Sequence, residues 1–405
     1  MTRAYLFLSL PRHDAEYTST PWQLARELAG KHQVFFVDHP YTFWEAIRKI
    51  ASAAIRRRWA SYFTTGISKK DGVYVVAAPF VWPANFLPPG RCYRLVKRWN
   101  EKRMAARINL ASARFGVEQW LFVNSFNFYF HDMHQFLHVP VRLVVYHCID
   151  PIIKPYSQKH GQYLEPDAAR EADLVISTAP ALSQRFIAEG INPQSYLVPN
   201  AAQVELFATP PPAIHPTVQA ITGKVMGYLG SIERRIDYEL LLDVLRLLPD
   251  WNLVLAGPVD WHYVPAEVRH HQRIFFTGPV PHTEAPAVIK RFDVALIPFL
   301  TDEASSGIYP LKLFEYLATG KPVVSTNFNP DILLPLTDVV SVTTGASEFA
   351  AACTEQCRAQ EPRHIEARQR VAACNTWAHR AQQWQELIEK HLTRDHHVHS
   401  HITHA

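Results

Sequence analysis

Between Ser305 and Ser325 the chain reads SSGIYPLKLFEYLATGKPVVS, and within this stretch Lys312 and Glu315 stand three residues apart. Residues at that spacing share one face of a helix, so an ammonium and a carboxylate would project side by side. The neighbouring residues predict the helix itself. Pro310 ends a loop, 311–318 are good helix formers, Gly320 closes the last turn and Pro322 opens an apolar run. A Ser/Gly loop ahead of a helix start (Ser305, Ser306, Gly307, Ile308) leaves amides unpaired where the helix dipole is positive, which suits a diphosphate. A lysine in the first turn opposes that dipole, and a bound anion would explain it. Glu315 could accept two ribose hydroxyls. The alternative is a plain surface pair worth roughly a few tenths of a kcal/mol.

The elements that must carry these residues follow from periodicity. Short apolar runs predict strands at 5–10, 33–37, 73–77, 120–123, 143–147, 174–177 and 195–198, with helices at 23–29, 93–115 and 181–189. A proline-rich stretch at 208–222, including Thr209-Pro210-Pro211-Pro212, excludes helix and central strand and reads as a linker. Beyond it the alternation resumes, with strands at 225–229, 253–256, 274–277, 294–298, 323–325 and 339–342 and helices at 238–247, 286–291, 311–318 and 347–357. Alternating strands and helices predict an α/β protein with two doubly wound, mainly parallel sheets. The expected divisions are an acceptor-binding domain at 1–207, a linker at 208–222, a donor-binding domain at 223–376, a helix at 377–392 that could cross back to the first domain, and a flexible tail at 393–405. At 405 residues, two cores are the natural arrangement.

The run from Pro310 to Val324 resembles the donor-site helix of GT-B glycosyltransferases, especially glycosyltransferase family 4 members of bacterial surface-polysaccharide pathways. Weaker similarity extends along the chain. Val225–Ser231 resembles the glycine loop that opens the donor domain, Arg235-Ile236-Asp237 the motif after it, and Phe276-Thr277-Gly278 the strand beside the nucleotide base. Ala172–Thr178 and Val198-Pro199-Asn200 have counterparts in the first domain. The resemblance implies two Rossmann-like domains facing across a cleft, and transfer of a sugar from a nucleotide-diphosphate donor, UDP- or GDP-linked, to a saccharide or lipid-linked saccharide. It implies base contacts at Thr277 and Gly278. Two departures stand out. Gly307 occupies the place of the first of two family glutamates eight residues apart, and Ala201 follows Pro199-Asn200 where the family has glycine. The first leaves the donor sugar and the stereochemical course open. It also keeps a decayed nucleotide-binding scaffold in view, beside an epimerase on the same fold.

A departing nucleoside diphosphate needs its charge met by a metal or by fixed cations and amides. The chain has no pair of aspartates two residues apart, so the expectation is a metal-free site. Its members would be Lys312, Arg234, Arg235 and the amides around Gly230, Ser231 and Ser306 to Ile308, with no metal and no cofactor beyond the donor. For the acceptor hydroxyl, the 143–147 strand runs into His147-Cys148-Ile149-Asp150, and carboxyl ends of parallel strands are where open α/β sheets hold their sites. Asp150 is the expected catalytic base, or the group orienting the acceptor, and His147 is a second candidate by its near-neutral titration. Either could instead be a loop cap or a core group.

Cations interleaved with aromatics, Trp44, Arg48, Lys49, Arg56, Arg57, Arg58 and Trp59, then Arg91, Arg94, Lys97, Arg98, Trp99, Lys102, Arg103 and Arg107, suit an anionic membrane surface as well as a solvated helix face. The net charge of +4 gives no reason to expect nucleic acid. Five scattered cysteines without a CxxC pair read as reduced thiols, and the apolar run at 4–10 is too short to span a membrane. The expected location is cytoplasmic, with peripheral contact on the inner face of the membrane. Six histidines between 391 and 405 receive no role.

Overall fold

Runs of Val, Ile, Leu, Phe and Tyr become strands buried on both faces, as parallel sheets require. In the computed structural model, which describes residues 3–14, 19–152, 155–302, 305, 308–358 and 360–402, they form two sheets. The first holds β1 (Arg3–Ser9), β2 (Gln33–Asp38), β3 (Ile67–Lys70), β4 (Val73–Val76), β5 (Gln119–Ser125), β6 (Val141–Cys148), β7 (Leu174–Ser177) and β8 (Ser195–Leu197). Their order is β3-β4-β2-β1-β5-β6-β7-β8, parallel except for the β3–β4 pair. The second holds β9 (Lys224–Leu229), β10 (Trp251–Ala256), β11 (Ile274–Gly278), β12 (Val294–Ile297), β13 (Val323–Thr326) and β14 (Val340–Thr343), all parallel, in the order β11-β10-β9-β12-β13-β14. Strand order reverses between β1 and β5 and between β9 and β12. Crevices at such switch points are where open α/β sheets bind ligands.

The chain divides into two compact units, residues 1–199 with 380–405, and residues 200–379. The passage between them therefore falls at Pro199–Asn200, ahead of the proline-rich stretch. That stretch belongs to the second unit, where Val218 and Ile221 are buried in its core and Pro216 opens a short helix, Pro216–Gln219. These apolar residues, which the linker reading passes over, tie it down.

The last helix, Trp377–Ile402, is longer than the expected 377–392, and from Arg380 it counts with the first unit. Its Ala381, Trp384, Ile388 and Leu392 pack with Tyr5, Phe7, Phe36 and Val123 on one face of the first sheet.

Two elements lack the expected signal. β3, Ile-Ser-Lys-Lys, shows no apolar face, and it pairs with β4 through an Asp71-Gly72 turn at φ 48° and 85°. The helix Pro155–Arg170 contains Gly161 and Pro166, residues that interrupt a helical pattern in the sequence.

Candidate nucleotide-diphosphate site

At the carboxyl end of β9 the backbone turns sharply at Gly230, whose φ is 144°. Gly257, following β10, lies so close that a Cβ on it would stand 2.1 Å from the Gly230 carbonyl oxygen, so the two loops meet backbone to backbone. Ser231 is exposed beyond this turn and its carbonyl accepts from the Tyr228 hydroxyl at 3.0 Å. Arg234 and Arg235 are half-buried in the next turn, and Arg235 pairs with Glu233. Thr277 and Gly278 end β11, where the Gly278 carbonyl accepts from the Gly257 amide at 3.0 Å.

The helix Leu311–Ala318 begins at Pro310 with no side-chain cap. Three of the expected donors are already committed: the Leu313 amide donates to the Pro310 carbonyl at 3.2 Å, the Ile308 amide to the Ser305 carbonyl at 3.0 Å and the Gly230 amide to the Ala256 carbonyl at 2.8 Å. Lys312 is half-buried, with its ammonium end enclosed. Nζ donates to the Tyr228 hydroxyl at 2.8 Å and lies 4.3 Å and 4.8 Å from the Tyr228 and Phe299 ring centres. Burial, reinforced by the Arg235 charge, pushes its pKa down to about 7. Glu315 is buried one turn on, and burial raises its carboxyl to about 7 against the lowering pull of Lys312. A cation and a carboxylate so crowded, at a switch point, are placed for a polyanion and a pair of hydroxyls. Ile308 is buried ahead of the helix, and its carbonyl accepts from Asn329 Nδ2 at 3.2 Å. Ser306 and Gly307 lie outside the described residues.

Residues 223–358, which hold every described member of this site, match the family model for glycosyl transferases group 1. This is a glycosyl transferases group 1 domain. The TuaH protein of Bacillus subtilis strain 168, assigned to teichuronic acid biosynthesis as a glycosyltransferase, is 28% identical over 189 residues, 45% of this chain. The match spans about half of that relative's length, 47%. Anabaena Alr3699/HepE, solved in complex with UDP, superposes at a TM-score of 0.65 with 17% identity over 96% of this chain and 100% of its own. Sucrose-phosphate synthase from Thermosynechococcus elongatus does so at 0.65 with 14% identity, covering 96% and 98%. At these identities the likeness concerns the fold, which is GT-B.

Within the group 1 domain, sequence reasoning passed over His282 and Tyr228. His282 Nε2 is buried without a hydrogen bond and stands 3.9 Å from Glu315 Oε1; burial lowers its pKa. No spacing rule links a histidine thirty-three positions upstream to that carboxylate. Only the strand order does.

In the first unit, His147 and Asp150 separate. His147 is buried, its Nδ1 bonded to Ser125 Oγ at 2.9 Å and its ring edge-on to Trp384 at 4.8 Å, and burial lowers its pKa to about 3. It is a neutral core group closed to solvent. Asp150 is exposed just past β6. A second histidine went unnoticed in the sequence: His13, after β1, is held by Asp38 at the end of β2. Twenty-five residues separate the pair, and only the parallel pairing of β1 with β2 brings them together.

Two cations counted with the basic surface are inside. Arg58 is buried, donating to Asp38 at 2.6 Å, and Lys97 is buried between Glu101 and Asp132. Each is paired with a buried carboxylate, Arg58 with Asp38 and Lys97 with Glu101.

Proposed function

We propose that the protein transfers a sugar from a nucleotide-diphosphate donor to a saccharide or lipid-linked saccharide, without a divalent metal, during surface-glycan synthesis. The observation that carries this is the Lys312–Glu315 helix at the β9/β12 switch point of a group 1 domain. The diphosphate would take Lys312, Arg234, Arg235, the Ser231 amide and the amides of Leu311 and Lys312 at the helix start, the Gly230 amide being held by the Ala256 carbonyl at 2.8 Å. Glu315 would take the ribose, and Thr277 and Gly278 the base edge. UDP in the solved Anabaena relative supports a nucleotide-sugar donor. Fixed cations at these positions would meet the leaving-group charge that other transferases assign to an ion. Asp150, open to solvent at a strand end, would orient the acceptor.

No helix among the described residues is long and apolar enough to cross a membrane. A peripheral contact is supported by the first unit, where Trp44, Ile47, Ile50 and Phe63 are 60%, 63%, 60% and 90% exposed beside Arg48, Lys49 and Arg56. Exposed apolar groups among cations suit an anionic lipid surface, where a lipid-linked acceptor would lie.

The test is calorimetric titration with UDP and GDP, followed by turnover of the bound nucleotide's sugars with and without EDTA. Absence of nucleotide binding would remove the donor assignment, and a rate that vanishes on chelation and returns with magnesium would remove the metal-free one.

A further inference from the structure

In the first unit, three metal-ligating side chains converge where a 3₁₀ helix, Phe128–Phe136, meets the end of the helix Pro155–Arg170. His131 and Asp132 sit on the former, and Glu171 follows the latter, its amide donating to the Asp167 carbonyl at 3.0 Å. The His131 side chain is 6% exposed, and its Nδ1 lies 2.8 Å from the Phe128 carbonyl oxygen. A carbonyl only accepts, so Nδ1 carries the proton and the neutral ring keeps its lone pair on Nε2. Burial, with the Lys97 charge behind it, lowers the His131 pKa and so favours that neutral form. Among the described residues Nε2 has no hydrogen bond; it faces two acceptors instead, Asp132 Oδ1 at 3.5 Å and Glu171 Oε2 at 4.0 Å.

Acceptors aimed at one another repel unless positive charge lies between them. Asp132 and Glu171 share a hydrogen bond, and hence a proton, but the buried Nε2 has nothing equivalent. The three ligand atoms lie within 4.8 Å of one another. Atoms bound about 2.0–2.2 Å from a tetrahedral zinc ion stand roughly 3.3–3.6 Å apart, so His131 and Asp132 are already at that spacing and Glu171 has to close in slightly. Donation of Nδ1 to a backbone carbonyl is also the support that metal-bound imidazoles commonly have. Asp132 Oδ1 accepts from Gln135 Nε2 at 3.1 Å, which leaves it a second lone pair. The Lys97 ammonium pairs with Asp132, but it pairs with Glu101 as well, at 2.8 Å, so three carboxylates stand against one cation. The grouping of His13, Asp14 and Asp38 lacks that excess: Arg58 donates to Asp38 at 2.6 Å and to Asp14 at 3.3 Å, and Arg57 to Asp14 at 2.9 Å, two guanidiniums for two carboxylates. His131, Asp132 and Glu171 also line a cavity of about 540 Å³, with Tyr93, Arg94 and Asp167, so water can reach them.

We propose that His131 Nε2, Asp132 Oδ1 and Glu171 Oε2 bind a divalent ion of the zinc class, with a water from the cavity as the fourth ligand. The ion takes the place of the proton shared by Asp132 and Glu171, and it ties the 128–136 turn to the end of the Pro155–Arg170 helix. An imidazole beside carboxylates favours such an ion over magnesium or calcium, which take oxygen ligands. None of the three residues belongs to the donor site. The ion therefore has no part in the transfer proposed above, and the inference does not rest on that reading.

The experiment uses the full chain with His396→Ala, His397→Ala, His399→Ala, His401→Ala and His404→Ala in every sample, because a histidine-rich tail binds zinc by itself. After treatment with EDTA and its removal, titration with zinc chloride in a calorimeter should show one tight equivalent, and zinc should raise the melting temperature. Magnesium and calcium chloride at the same concentrations should do neither. His131→Ala and Glu171→Ala, made in that background, should each weaken zinc binding by more than about 100-fold, beyond the loss seen for groups that merely orient a ligand, and should lose the zinc-dependent rise in melting temperature. Glu171 is 46% exposed, so its variant keeps the fold and decides the matter where His131→Ala does not. No tight zinc equivalent in the parent protein, an equivalent that survives in Glu171→Ala, or binding of calcium or magnesium in preference to zinc would each overturn the assignment.

Discussion

Lys312 is held in a state that a diphosphate would complete. With its pKa pushed down to about 7 by burial and Arg235, it is largely neutral at pH 8, and two phosphate groups alongside would bring the proton back. Nucleotide binding at pH 8 should therefore take up protons, visible as a difference in apparent enthalpy between Tris and phosphate buffers, and Lys312→Ala should abolish the Lys312 contribution. Equal heats in the two buffers would refute it. The same group affects stability. Its folded pKa is below the unfolded value, so the unfolded chain binds the extra proton between about pH 7 and 10.5, and Lys312 makes stability rise with pH across that window. Glu315, raised to about 7 from 4.5, makes stability fall as pH rises between those values. Lys312→Ala and Glu315→Gln should each weaken UDP binding by roughly 10- to 100-fold, the scale of a charge-assisted hydrogen bond, without lowering the melting temperature. Wild-type affinity in both would be decisive against the site. Lys312 and Glu315 were legible because three-residue spacing on a helix is a local property. His13–Asp38, and His282 beside Glu315, were not, because each pair is made by strand pairing or element packing that no window of sequence contains.

The loops at the ends of β9 and β10 set how closely the donor site can be built. Gly257→Ala would place a methyl into the Gly230 carbonyl at a φ of 134°, and Gly230 carries the turn beneath Lys312. The backbone strain alone is about 1–3 kcal/mol, and separating the loops adds to it. Urea denaturation should show at least that loss, and UDP binding should weaken in the protein that still folds. An unchanged midpoint would mean the loops can part freely. At this scale the sequence was informative where elements are apolar and regular: the alternation of strand and helix in both units could be read directly. It was silent for β3, whose polar residues are held by the Asp71-Gly72 turn, and for the helix carrying Pro166. It placed the linker at 208–222, where proline content outweighed the buried Val218 and Ile221, whereas the units divide at Pro199–Asn200.

Reversible adhesion to anionic vesicles is the expectation for the whole molecule. Each basic residue near the surface contributes about 1 kcal/mol, screened within roughly 10 Å at 0.1 M salt. Arg48→Glu, Lys49→Glu and Arg56→Glu together should release the protein from such vesicles while leaving UDP affinity unchanged. Arg57 and Arg58 are unsuitable for this test because Asp14 and Asp38 depend on them. Equal sedimentation of wild type and triple variant, or none by wild type, would reduce the basic face to a solvated one. The first unit is also a closed circuit of chain, since Trp384 and Ile388 cover a face of the sheet begun by β1. On a ribosome, Phe7, Phe36 and Val123 emerge early and wait through the synthesis of the entire group 1 domain for their cover. The half made first is thus the half finished last, and it must spend that interval with apolar surface open to chaperones or to aggregation. A fragment of residues 1–199 should accordingly be insoluble when made alone, and soluble when the 377–402 helix is supplied in trans. Trp384→Ala, which removes the largest piece of that cover, should cost about 3–5 kcal/mol and slow recovery of the first unit from urea far more than that of the second.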